Sequence, residues 1–204
     1  MTAPVRRPLW LLLAWPLWVH GCVLLGRPGW ALVGIVVLVL SVGIARGWAG
    51  DWRSAAVWLG LAGLLAAAVG QGWAQPVLYL PPVLFSLVFF VVFAGSLVSG
   101  RTPLVTELAL RMGERPTPAV RAYTRRVTQA WALFFAFLGG TALVLALAAS
   151  PTVWSWYANF GTYLLVGLFF LVEFRLRDRF MPGHRFRRFG DFLRALAANG
   201  MDRR

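Results

Sequence analysis

Residues 101–126 read RTPLVTELALRMGERPTPAVRAYTRR and carry six arginines, while the flanking stretches Ser54 to Gly100 and Val127 to Phe174 carry none. A basic segment between long apolar runs marks a chain threaded through a bilayer, because an arginine at the centre of a membrane helix costs about 2.5–3.5 kcal/mol. Working outward, Pro8 to Gly26 and Pro28 to Ala45 are also free of arginine, and all 20 basic residues of the chain are arginine rather than lysine.

Composition points the same way. The 204 residues are 59% hydrophobic and 13% charged, against about 25% charged in a soluble domain. The net charge of +13 in such a chain points to anionic phospholipid headgroups as partners, and nucleic acid is not expected. A helix needs about 20 apolar residues to cross the hydrocarbon core. Six segments qualify: Leu9 to Leu25, Gly29 to Ala45, Trp52 to Gly70, Pro76 to Val98, Val127 to Ala149 and Thr152 to Phe174. The expected fold is therefore all-α, a polytopic membrane protein of about six transmembrane helices with short amphipathic helices on one face. Residues 1–176 form the membrane domain, including the 101–126 loop, and residues 177–204 a basic tail.

Arginine placement orients these spans. Connections after the first, third and fifth contain only Arg27, so 19 of the 20 arginines fall on one side. Cytoplasmic loops retain arginine, which predicts a bacterial inner-membrane protein with both termini cytoplasmic. Val19-His20-Gly21-Cys22 has the outline of a lipoprotein cleavage site. His20 and the apolar continuation Val23 to Leu25 instead favour an uncleaved first span.

Within the spans, ionisable groups are scarce. His20 lies near the outer end of the first, where an interfacial or interhelical hydrogen bond is its expected role. Glu173 lies at the inner end of the sixth, four residues before Arg177, the spacing of a helical ion pair. No cysteine cluster, HExxH motif or serine–histidine–aspartate grouping occurs, so no metal, cofactor or catalytic residue is expected and the reading leans away from an enzyme. Pro16 falls midway along the first span and should kink it. Pro81 and Pro82 either open the fourth helix, where prolines are tolerated, or break it.

The 101–126 loop itself has helical periodicity. Leu104, Leu108 and Met112 share a face, predicting a short helix on the inner leaflet. Thr117 can cap a second helix with Pro118 at its first position. This helix is expected to continue into the fifth span, presenting Arg121 and Arg125 on one face with Arg126 beside them. Planar guanidiniums suit phosphate oxygens or an acidic partner. Tyr123 and Trp131 are placed as membrane-interface anchors. In the tail, Asp191 can cap an amphipathic helix; Arg187 and Arg188 add charge, and Phe189 and Phe192 add aromatic anchors.

YTRRVTQAWALFF (Tyr123 to Phe135), YLPPVL (Tyr79 to Leu84) and the ANFGTYLL segment around Asn159 resemble a family of small multi-pass bacterial inner-membrane proteins. Their genes accompany those for aryl polyene, xanthomonadin-like pigment lipids, which encode ketosynthases, acyl carrier proteins and acyltransferases. The resemblance covers about the last two thirds of the chain and implies a pathway, with no catalytic residue to carry over. It makes an acyl carrier protein or acyltransferase a candidate partner. Three functions follow as expectations: a scaffold that recruits soluble enzymes of polyene lipid synthesis to the cytoplasmic leaflet, a transporter or flippase working at a Pro81–Pro82 break, or an enzyme acting on a lipid-linked substrate.

Overall fold

The computed structural model describes residues 10–180. They form α1 (Trp10–Leu24), α2 (Pro28–Trp48), α3 (Trp52–Gly70), α4 (Ala74–Gly95), α5 (Leu104–Arg111), α6 (Pro118–Ala148), α7 (Pro151–Trp156), a π-helical turn (Tyr157–Gly161) and α8 (Thr162–Phe180), with no strand among the described residues. Five helical segments are long and apolar enough to cross a membrane: α2, α3, α4, α6 and the continuous run from Pro151. The 15-residue α1 is a shorter apolar helix. Large apolar side chains such as Leu64, Leu133 and Leu147 stand 72%, 72% and 80% exposed, a surface that lipid accepts and water does not. The chain is an all-α polytopic membrane protein.

Helix ends follow local chemistry. α6 begins where Thr117 Oγ1 accepts from the amide of Val120 (3.2 Å), and it runs without interruption from the polar loop into the apolar segment. Between α2 and α3, Gly50 adopts φ +78°, a conformation that side chains disfavour. Asp51 then caps α3 by accepting from the Ser54 amide (3.2 Å). α1 continues through Pro16.

α4 corrects both readings of Pro81 and Pro82. It starts at Ala74 and continues through the two prolines to Gly95, so they neither open the helix nor break it. Each proline withdraws one amide from the ladder, and the apolar environment holds the remaining turns together because lipid offers their backbone groups no other partner.

The chain divides into two compact units, Met1–Pro82 with Ala142–Thr162 and Val83–Thr141 with Tyr163–Arg204. In the first, α2 and α3 form a closely packed hairpin. A methyl group at Gly43 would meet the Leu59 side chain at 3.0 Å and its backbone nitrogen at 3.3 Å, and one at Gly47 would meet the Trp52 ring at 3.3 Å. This is the Gly-x-x-x-Gly device by which membrane helices approach closely. Val19, Cys22, Leu32, Leu78 and Trp154 form the first unit's core.

In the second unit the packing is aromatic. Trp131 lies 4.6 Å from Phe169 and 5.5 Å from Phe135, and Phe134 stacks on Phe169 at 4.3 Å. Trp131 is 8% exposed, so its ring is covered by these neighbours and packs inside the unit.

Candidate functional site

Two polar constellations stand out against this apolar background, one in each unit. In the second unit, hydroxyl groups hold the short helix α5. The first amides of a helix lack intrahelical acceptors, and Pro103 ahead of α5 offers no side-chain cap. Ser96 Oγ accepts from the Leu104 amide (3.0 Å) and Thr128 Oγ1 from the Val105 amide (3.2 Å). Thr106 and Thr124 bond through their hydroxyls at 2.6 Å. Thr124 and Thr128, four residues apart on α6, donate back to the carbonyls of Val120 and Thr124 (2.8 Å each). Each hydroxyl thus donates within its own helix and accepts from α5.

Beside this clamp, Tyr123 Oη donates to Glu173 Oε1 (3.3 Å), and Arg177 grips both oxygens of Glu173 at 2.9 and 2.8 Å. The ion pair expected from the spacing is present and buried, with side chains 14% and 8% exposed. Tyr123 also stacks on Phe180, so it is tied into the protein.

On the outer side of the same stretch of α6, Arg121, Arg125 and Arg126 are exposed. Arg121 Nε donates to Pro116 O (3.5 Å) and Arg125 Nη2 to Leu97 O (3.4 Å). Arg101 likewise reaches Gly95 O at the end of α4 (3.4 Å), where carbonyls lack amide partners and attract cations. These guanidiniums are steered by main-chain carbonyls while most of their donors stay available. Arg187, Arg188, Phe189 and Phe192 lie outside the described residues.

The first unit holds the other constellation. Asn159, in the π-turn, donates from Nδ2 to Ser155 O (2.9 Å) and to Ser155 Oγ (3.0 Å). A π-turn inserts one residue into the helical ladder, and side chains take up carbonyls there; Thr162 Oγ1 donates to Tyr157 O (3.1 Å). Ser155 Oγ also meets His20 Nδ1 at 3.0 Å. Ser155 Oγ, with one proton to give and two lone pairs, joins Asn159 to the imidazole and couples the orientation of the His20 ring to the π-turn. The ring's Nε2 is buried without a hydrogen-bond partner, and so is Trp154 Nε1. The His20 ring contacts the rings of Trp156 (4.6 Å) and Phe160 (5.1 Å).

The interhelical bond expected of His20 is therefore present. Ser155, Asn159 and the threonine clamp are uncharged, so the scarcity of ionisable groups in the spans gave no sign of them. Asn159 was findable as the only asparagine in any of the six spans, and Thr124 and Thr128 by their four-residue spacing on one face. No protein-family model, characterised protein or solved structure matches the chain.

Proposed function

We propose that the chain is an integral inner-membrane accessory protein of polyene or related lipid synthesis, which recruits an acidic soluble partner to the cytoplasmic leaflet through the arginines of α6. The observation that carries this reading is the setting of Arg121, Arg125 and Arg126. They are exposed, and the helix that bears them is braced by the threonine clamp and the Tyr123–Glu173–Arg177 triad. A braced cationic surface loses less entropy on binding than free arginines would. Acyl carrier proteins are acidic, which suits the resemblance of the 123–135 segment, and leaflet phospholipids offer the same surface a second anionic contact.

The test is recruitment of a pathway acyl carrier protein to the full chain in neutral-lipid nanodiscs. Replacing Arg121, Arg125 and Arg126 together by glutamine should weaken capture at least tenfold, and raised salt should weaken it in the unmodified protein. Recruitment that survives the triple replacement refutes the arginine surface. Orientation is tested by topology reporters at Trp73 and Pro151, which should read as external. Cytoplasmic activity at either overturns the assignment.

A second reading, movement of a lipid product between leaflets, draws on the π-turn and the unpartnered buried nitrogens of His20 and Trp154 in the first unit. It requires a deletion strain to make the product and retain it in the inner leaflet. Normal export in that strain removes it.

A further inference from the structure

His20 is the only histidine among the described residues, and it ties α1 to the helical run from Pro151. Its Nδ1 meets Ser155 Oγ at 3.0 Å, and Ser155 Oγ also accepts from Asn159 Nδ2 in the π-turn. A hydroxyl has one proton and two lone pairs, so Ser155 suits Nδ1 as donor or as acceptor. Nε2 has no such latitude, because it is buried without a partner beside the rings of Trp156 and Phe160.

A neutral imidazole carries one N–H and an imidazolium carries two. In the neutral ring Nδ1 can hold the proton and give it to Ser155, which leaves Nε2 as a bare lone pair. In the charged ring Nε2 must donate, and its packing offers no acceptor. A charged donor in an apolar interior is costlier to leave unmatched than a neutral one. No counter-charge is placed to help. Apart from His20, the described residues of α1 include only Cys22 as a titratable group. Of the elements packed against α1, α2 carries Arg46 at its far end, α7 carries no titratable side chain and the π-turn carries only Tyr157.

A cleft of about 130 Å³ lies close by, and Val23 of α1, Trp154 of α7, Gln75 and Tyr79 are among the residues that line it. His20 precedes Val23 by three residues and Ser155 follows Trp154, which sets their bond about one helical turn from the cleft. At about 30 Å³ per water the cleft has room for several. Pro16, one turn before His20, lies inside α1 and removes a ladder bond, which gives the helix a place to bend. We propose that His20 is a proton-sensitive latch: the neutral ring holds α1 against Ser155 and the π-turn, and uptake of a proton from the cleft side releases it. The latch is independent of recruitment at the α6 arginines.

The full chain in nanodiscs carries its own probe, because Cys22 is its only cysteine, lies two residues from His20 and is buried in the first unit's core. The rate of its reaction with dithiodipyridine is measured at pH 7.5 and pH 5 and divided by the rate for H20Q at the same pH, which cancels the reagent's own pH dependence. Glutamine keeps a polar group for Ser155 and takes up no proton. The ratio should rise about tenfold on acidification, because each pH unit below the imidazole range favours a state that alone accepts the proton by up to about tenfold. S155A should raise the rate at pH 7.5 and flatten the response. If H20Q fails to fold, H20F serves as the reference. Nitrogen-15 shifts of the His20 ring, recorded in H184Q so that one histidine remains, should show protonation in step with the gain in rate. A ratio that does not change with pH, a ring still neutral at pH 5, or a response lost in H184Q would each overturn the proposal.

Discussion

Thr128 in the second unit and Ser155 in the first are both wholly buried hydroxyls on membrane helices, yet their surroundings close differently. Thr128 donates to Thr124 O and accepts from the Val105 amide, so donors and acceptors balance. Around Ser155 the network stays open: Asn159 gives to Ser155, Ser155 Oγ meets His20 Nδ1, and His20 Nε2 is left without a partner, as is Trp154 Nε1–H on the adjacent residue. A balanced network fixes a geometry. An open one leaves buried nitrogens unmatched, each at a cost of about 1–3 kcal/mol. The rings of Trp156 and Phe160 pack edgewise on His20 and offer Nε2 no conventional hydrogen-bond partner.

The strongest blow to the balanced side is Glu173→Ala. It removes the carboxylate that Arg177 grips through two nitrogens and one acceptor of Tyr123. Breaking a buried pair on one side costs about 3 kcal/mol, which thermal unfolding in detergent should register as a drop of several degrees. Glu173→Gln, which keeps an acceptor for Tyr123, should recover part of it. A change within error for both variants would show that this triad contributes no more than a surface pair.

How much of this was visible beforehand follows from the period of each signal. The apolar runs, the Thr117–Pro118 start of α6, the α5 periodicity and the Glu173–Arg177 spacing are local in sequence, and each appears in the structure. Pro81 and Pro82 were misjudged because, although the apolar run begins before them, whether a helix continues through a proline pair is decided by its surroundings and not by composition; the aromatic packing of Trp131 was hidden because Phe169 comes from a distant helix. The His20–Ser155 bond joins residues 135 positions apart. One half of it was legible as a polar group needing a partner, but no spacing names the partner.

Thr128→Val sharpens the comparison at the hydroxyl itself. The shape is kept and the Val105 amide loses its acceptor, at a cost of about 2 kcal/mol. The loss should be local. Hydrogen exchange across residues 104–111 should accelerate while α2 and α3 are unchanged, and uniform acceleration over the whole chain would contradict a clamp confined to α5.

Ser155→Ala should be milder, about 1 kcal/mol, because Asn159 retains Ser155 O as acceptor and His20 merely gains a second unmatched nitrogen. The sharper readout is the imidazole. Nitrogen-15 chemical shifts of His20 should show one tautomer, fixed by Ser155, in the unmodified chain and a mixture of tautomers in the variant. A mixture already present in the unmodified chain would show that Ser155 does not orient the imidazole.

Asp51 completes the series as a polar group that water can reach. Its bond from Ser54, first, and the neighbouring Arg46 at 3.8 Å lower its pKa from the ordinary value of 3.8. A carboxylate with a lowered folded pKa stabilises the fold above its unfolded pKa, and that contribution fades as pH falls through the folded value. Thermal unfolding between pH 6 and pH 3 should therefore lose a small increment that Asp51→Asn, still able to cap α3, does not lose. The effect should be the smallest of the four, because solvent replaces what an exposed carboxylate gives up. If Asp51→Asn changed stability as much as Thr128→Val, exposure would not be what separates these groups, and the contrast between closed and open networks would need a cause other than burial.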